Sequence, residues 1–143
     1  MWKYEISVVW KEGKIGSTHA GGKPSIEIAT PPEFGGPENI WTPEDLLTSA
    51  VASCILTSTL FFADRAGIQM RSYMSNATAT MEKTPRGLAF TRIDVEISIT
   101  LENPAQADAM RRAVEQAEKN CPISTSLKCP VEISLHIENE LNK

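Results

Sequence analysis

The sequence predicts an α+β fold with the order βββ–α–ββ–α–β. Short stretches of alternating apolar and polar residues, separated by turns rich in Gly and Pro, occur in the first 30 residues and again in the second half of the chain. Two other segments carry apolar residues at spacings of three and four, which is typical of helices. Because most strands follow one another through tight turns, we expect antiparallel sheets. The length of 143 residues suits a single domain, residues 1–143.

Three strands are predicted in the N-terminal third. Residues 2–10 alternate between large apolar and polar side chains, which indicates a half-buried strand. A turn at residues 12–14 leads to shorter strands at 15–19 and 25–29, and together the three form a small meander. The side chains expected on one face of the first strand are Trp2, Tyr4, Ile6, Val8 and Trp10.

The longest helical segment follows a loop rich in Pro and Gly at residues 30–41. Long ordered loops often carry function. Thr42 is a good N-cap, Pro43 suits the first helical position, and Gly67 is well placed to end the helix. Small residues surround Cys54, so we expect a central helix packed on more than one side, which favours a dimer. The predicted apolar stripe is Leu47, Ala50, Val51, Cys54, Ser58, Phe61 and Phe62.

The second half of the chain predicts a hairpin, a helix and a closing strand. Residues 70–83 and 88–101 form the hairpin, and residues 103–120 form a helix that opens on an Asn N-cap. A short helical turn is expected after Cys121, and residues 131–138 form the last strand. The predicted inner face of the second helix is Ala109, Met110, Ala113, Val114 and Ala117.

Composition argues against several classes of protein. The net charge of −4 and the scattered basic residues do not suit a nucleic-acid partner. The N-terminus lacks the layout of a signal peptide, and we expect no uninterrupted apolar run long enough to cross a bilayer, so we expect a cytoplasmic protein with no membrane partner. There is no CxxC motif, and both histidines lie far from any cysteine, so we expect no metal site and no cofactor.

The three cysteines are the first candidates for chemistry. Cys54 is either a small core residue or a nucleophile, and the second role needs a partner that stabilises its thiolate. Cys121 precedes Pro122 and is either a buried cap or a thiolate favoured by the backbone N–H groups of the next turn. Cys129 is expected to be structural.

Glu44 and Lys14 are also candidate site residues, but each has a purely structural interpretation as well. Glu44 suits the first turn of a helix through its charge, and Lys14 suits a solvated turn. From the residues alone, these two side chains and the two candidate cysteines support only a general redox hypothesis.

Three segments narrow the hypothesis: PPEFGG at 31–36, TPEDLLTSAVASC at 42–54 and NCPIS at 120–124. Together they resemble the OsmC/Ohr family, the osmotically inducible and organic-hydroperoxide-resistance proteins. The resemblance covers nearly the whole chain. It implies an intertwined α+β homodimer whose sheets wrap around long central helices, and a thiol peroxidase that reduces organic hydroperoxides.

The resemblance implies a role for each candidate residue. Cys54 matches the peroxidatic cysteine, which becomes a sulfenic acid, and Cys121 matches the resolving cysteine, which closes an intrachain disulfide. A dithiol reductant, lipoyl-type in the Ohr branch, would reopen that disulfide. Glu44 matches an active-site glutamate. Since it lies about 15 Å along the helix from Cys54, it would act at the partner subunit's Cys54.

One position departs from the family. Its active-site arginine falls in the first turn, where Lys14 is the nearest match. A lysine provides a point charge and not a bidentate fork. Either Lys14 substitutes for the arginine, or the thiolate is poorly activated and the chain is a non-catalytic or weakly active dimer that binds an apolar ligand or a thiol carrier. Phe34 and Trp41 are candidate walls of an apolar substrate pocket.

Overall fold

The computed structural model describes residues 1–141, and the last two residues of the predicted domain, 142 and 143, lie outside the described residues. The predicted succession of strands and helices is confirmed. The chain divides into two compact units, one ending at Leu47 and the other beginning at Thr48. The single-domain organisation stays a prediction.

The first unit contains an antiparallel sheet of three strands in the order β1-β2-β3. They are β1 (Ser7–Glu12), β2 (Ile15–His19) and β3 (Ile26–Ala29). The prediction for residues 2–10 is wrong in extent, because β1 starts at Ser7. It is also wrong in burial, because every residue of β1 is exposed. Alternation marks a strand that can bury one face, and a three-stranded sheet buries that face only when another layer covers it.

Helix α1 (Pro43–Arg65) begins in the first unit and continues into the second. Its start confirms the predicted N-cap, because the Asp45 backbone N–H donates to Thr42 Oγ1 at 3.0 Å. The Thr42 N–H in turn donates to the Asp45 carboxylate at 3.0 Å, which completes a capping box. Gly67 follows the helix with φ +69°, a conformation that glycine adopts without strain.

The buried face of α1 differs from the predicted stripe. Its fully buried residues lie four apart and are Val51, Ile55, Thr59 and Ala63. Of the predicted stripe only Val51 is fully buried, and Phe61 is 55% exposed. The helix is apolar on nearly all sides, so spacing alone could not select the face that packs on the core.

The length of α1 corrects another expectation. By length and composition, its 23 residues are long and apolar enough to cross a membrane, whereas from the sequence we expect no such run. Core helices of soluble proteins meet the same criterion.

The second unit has a mixed sheet in the order β4-β5-β6. Strands β4 (Met70–Thr84) and β5 (Gly87–Leu101) form the predicted antiparallel hairpin. Strand β6 (Val131–Ile137) pairs with β5 in parallel, so the expectation of purely antiparallel sheets is wrong here. The reason is the long helical crossover between β5 and β6, since only a connection of that kind lets neighbouring strands run in parallel.

This crossover carries the remaining helices. A 3₁₀ turn (Pro104–Gln106) leads into α2 (Ala107–Asn120), and α3 (Pro122–Thr125) follows directly. Asn103 caps the 3₁₀ turn, because its side chain accepts a hydrogen bond from the Ala105 N–H at 3.1 Å. The buried face of α2 matches the prediction except that Ala107 is buried where Ala109 is only partly so.

One hydrophobic core joins the elements of the second unit. It combines the buried face of α1, alternate residues of β5 and the inner face of α2, and it includes Cys121. The buried β5 residues are Ile93, Val95, Ile97, Ile99 and Leu101. The C-terminal end of α2 therefore delivers Cys121 to the same core that α1 packs on.

Candidate redox site

Cys54 lies in the middle of α1 and is half-buried. It occupies a position next to the buried face of the helix, so its side chain contacts the core without being enclosed by it. One helical turn further on, Ser58 Oγ lies 3.9 Å from the Cys54 sulfur. The Cys54 thiol is thus held in place but remains reachable.

Cys121 lies at the start of α3 and is fully buried. Its sulfur accepts a hydrogen bond from the Ser124 N–H at 3.4 Å and another from Ser124 Oγ at 3.2 Å. The Cys121 carbonyl accepts from the N–H of Thr125 at 3.1 Å and from its hydroxyl at 3.1 Å. The sulfur and the carbonyl group of Cys121 are therefore both held by hydrogen bonds from residues of α3.

The structure brings Cys54 and Cys121 together, with a hydrogen bond between their side chains. Burial raises the pKa of Cys54, and Cys121 raises it further through this hydrogen bond and through its charge. Burial by itself would also raise the pKa of Cys121. Hydrogen bonds from Cys54, Ser124 and the Ile123 backbone instead hold the pKa of Cys121 below its ordinary value.

These opposite shifts of pKa mean that the two thiols ionise unequally. As the pair loses its first proton, Cys121 is the favoured site of the negative charge. An oxidant from solution reaches the half-buried Cys54 and not the fully buried Cys121. The arrangement suits oxidation at Cys54 followed by capture by Cys121.

A second group of predicted residues meets in the first unit. The loop after β3 folds into a 3₁₀ turn (Pro32–Phe34), and the Lys14 ammonium donates a hydrogen bond to the Phe34 carbonyl at 3.2 Å. Gly35 makes room for this contact, because a Cβ there would come within 2.6 Å of Lys14 Nζ. Gly35 also has φ +88°, which disfavours any other residue. The PPEFGG loop thus holds the Lys14 side chain.

The other predicted residues occupy the following positions. Phe34 is 46% exposed and Trp41 is 52% exposed, and Trp41 is anchored through its carbonyl to the Ala29 N–H at 2.9 Å. Glu44 is half-buried in the first turn of α1. Cys129 is half-buried and packs against the core. The functional roles of Cys54, Cys121, Glu44, Lys14, Phe34 and Trp41 stay predictions.

Sequence reasoning missed Ser124. A signal was present, because the N–H of the third residue after an N-cap commonly donates to the capping side chain. The motif Cys121-Pro122-Ile123-Ser124 places a hydroxyl at that third position. Cysteine is an uncommon cap, so the sequence pattern alone does not single out this hydrogen bond.

Comparison with known proteins identifies the family. The sequence profile of the OsmC-like protein family matches residues 36–136, which is most of the chain. The chain belongs to the OsmC-like protein family. This OsmC-like chain is 23% identical over 97 residues to the peroxiredoxin OsmC of Escherichia coli strain K12, and the match covers 68% of this chain and 67% of that protein.

Solved structures establish the fold of this OsmC-like chain. An OsmC-like protein of unknown function from Vibrio cholerae aligns with a TM-score of 0.87 at 18% identity, covering 95% of this chain and 100% of the other. An organic hydroperoxide resistance protein OsmC from Legionella pneumophila aligns with a TM-score of 0.73 at 22% identity, covering 96% and 97%. The predicted OsmC-like α+β fold is therefore confirmed, and the family and its neighbours support a redox role.

The coupled cysteines predict that replacing Cys121 lowers the pKa of Cys54. Cys121→Ala removes both the charge and the hydrogen bond that raise the pKa of Cys54, whereas the effect of burial remains. Cys54 should therefore ionise at lower pH in the variant. The measurement is the pH dependence of Cys54 alkylation by iodoacetamide, with Cys129→Ser in both proteins so that only the site cysteines react. An unchanged or higher midpoint would contradict the coupling.

Proposed function

We propose that this chain is a thiol-dependent peroxidase that reduces organic hydroperoxides through Cys54 and Cys121. The observation that carries the proposal is the hydrogen-bonded pair of a reachable thiol and a buried thiol. The similarity to a peroxiredoxin and to an organic hydroperoxide resistance protein supports it. We expect the protein to work in the cytoplasm, where thiols are kept reduced.

The proposed cycle has three steps. The Cys54 thiolate attacks the peroxide, the O–O bond breaks, and Cys54 becomes a sulfenic acid while the alkoxide takes up a proton and leaves as an alcohol. The Cys121 thiolate then attacks the Cys54 sulfur, the S–O bond breaks, and hydroxide leaves and becomes water. A dithiol reductant, for which we propose a lipoyl-type molecule, reduces the disulfide and is itself oxidised to a disulfide.

The first step needs a cation, because the pKa of Cys54 is raised by burial and by its neighbour. We propose that Lys14 supplies this positive charge. We also propose that Glu44 orients the cation, and that Glu44 acts at the partner subunit's Cys54. A positive charge near a thiolate lowers the thiol pKa. The PPEFGG loop contributes by holding the Lys14 side chain, and Phe34 and Trp41 would form the apolar wall that favours organic peroxides over hydrogen peroxide.

A homodimer is part of the proposal. Within one chain, only 22% of the most apolar 18-residue stretch of α1 is buried. Leu60 and Phe61 of this helix are about half exposed. A helix that is apolar on all sides is normally covered on all sides. A second copy of the chain would provide that cover and would bring Glu44 to the partner subunit's cysteine.

A second candidate function is a weakly active or non-catalytic dimer that binds an apolar ligand or a thiol carrier. Two observations favour it: the raised pKa of Cys54 and the lysine at position 14 where the family has an arginine. Peroxide turnover separates the two candidates, because a binding protein consumes no peroxide.

We expect Cys54→Ser to reduce the consumption of cumene hydroperoxide to the uncatalysed rate, because the attacking sulfur is absent. Cys121→Ser should consume peroxide in one stoichiometric burst and then stop, with a sulfenic acid on Cys54 that dimedone traps. Dihydrolipoamide serves as reductant in a stopped-flow assay, and Cys129→Ser is the control that keeps turnover. Full activity in Cys54→Ser would rule out the assignment.

Lys14→Arg should raise the second-order rate constant with cumene hydroperoxide severalfold, and Lys14→Met should lower it. A guanidinium offers a carboxylate two parallel hydrogen bonds and so organises the cation better than an ammonium. Lys11→Arg is the matched control, because Lys11 lies on the neighbouring strand and pairs with Glu27 at 2.9 Å. Equal rates in all three variants would remove Lys14 from the mechanism.

Leu60→Asp should convert a dimer into monomers, because it places a charge on the exposed apolar face of α1. Gln116→Asp is the control, since it adds the same side chain to an exposed position of α2. Light scattering after size-exclusion chromatography gives the mass of each variant. The dimer proposal fails if the unaltered protein is monomeric at micromolar concentration.

A further inference from the structure

Ser124 makes two hydrogen bonds to the buried sulfur of Cys121. Its hydroxyl and its backbone N–H both point at the Cys121 sulfur, at 3.2 Å and 3.4 Å. Pro122 lies between the cap and Ser124 and has no N–H of its own. Ser124 alone thus donates two hydrogen bonds to the Cys121 sulfur.

Such contacts matter most for a charged sulfur. Cys121 is fully buried, and an anion removed from water is stable only when hydrogen bonds replace its hydration. The pKa of Cys121 lies below its ordinary value although burial opposes this, and Ser124 contributes to the lowering through both its side chain and its backbone. The backbone contact persists in any variant, whereas the hydroxyl can be removed by mutation.

We propose that Ser124 is a positioning residue that holds the buried Cys121 sulfur as a thiolate facing Cys54 and thereby accelerates disulfide formation. The proposal rests on the peroxidase cycle given above. In the step concerned, the Cys121 thiolate attacks the sulfur of the Cys54 sulfenic acid, an S–S bond forms and the S–O bond breaks. The departing hydroxide takes a proton from solvent and becomes water.

The size of the effect follows from thiol chemistry. A lower pKa increases the fraction of thiolate but reduces its intrinsic nucleophilicity by roughly half as much on a logarithmic scale. We therefore expect Ser124→Ala to slow disulfide formation by roughly three- to tenfold near neutral pH. The deficit should close and then reverse in alkaline solution, where Cys121 is ionised in both proteins and the thiolate of the variant, with its higher pKa, is the stronger nucleophile.

The experiment is a single-turnover measurement in the Cys129→Ser background. Excess cumene hydroperoxide converts Cys54 rapidly to its oxidised form, acid quenching stops the reaction, and mass spectrometry counts disulfides over time from mildly acidic to alkaline pH. Ser124→Thr keeps a hydroxyl and should restore the rate. Ser126→Ala is the matched control, because its hydroxyl donates to the Pro122 carbonyl at 2.7 Å.

The pH profile distinguishes positioning of a thiolate from mere support of the local fold. A deficit in Ser124→Ala that closes at high pH supports the proposal. An equal deficit at every pH, or no deficit at all, overturns it, because loss of structure would slow the reaction regardless of ionisation.

A second readout does not depend on peroxidase activity. The ultraviolet absorbance of the thiolate reports the first ionisation of the reduced cysteine pair. Its midpoint should move to higher pH in Ser124→Ala and stay in place in Ser126→Ala. No movement in Ser124→Ala overturns the proposal, whereas an absence of peroxide turnover in the unaltered protein overturns only the proposed function.

Discussion

The hydrogen bond between Cys54 and Cys121 connects the two helical parts of the second unit. Cys54 belongs to α1, and Cys121 follows α2 after the crossover from β5. Their contact depends on the parallel pairing of β6 with β5, because that pairing requires the crossover helix to return over the same sheet. The redox candidates therefore meet only when the whole unit has folded.

Their different surroundings give the two thiols different characters. The buried Cys121 receives hydrogen bonds from Ser124 and from Cys54, and so it carries negative charge more readily. Cys54 keeps its proton more firmly but is open to an oxidant. Exposure to solvent thus favours Cys54, whereas negative charge favours Cys121, and for this reason the proposed mechanism includes a cation near Cys54.

Lys14 is the residue that we propose for this role. Its ammonium is held by a carbonyl in a loop whose glycine leaves the necessary space, so its position is set by the backbone. The carbonyl is neutral, so this hydrogen bond does not cancel the positive charge of Lys14. Relative to an arginine, a lysine at position 14 has a different donor shape but the same charge.

Much of the fold was predictable because local patterns determine it. The cap at Thr42, the start at Pro43, the alternation in β5 and the inner face of α2 each rest on interactions between neighbours in sequence. The motif around Cys54 and Cys121 was likewise sufficient to indicate the family, which the profile match over residues 36–136 confirmed.

The remaining features depend on contacts between distant segments. A uniformly apolar α1 could not reveal that Ile55 and Thr59 face the core, and alternation in residues 2–10 could not reveal that the face of β1 is exposed within one chain. The sequence by itself determined the elements and the candidate cysteines. Only the tertiary structure decided that Cys121 is buried, bonded to Ser124 and coupled to Cys54, because desolvation and hydrogen bonding arise from packing and not from residue type.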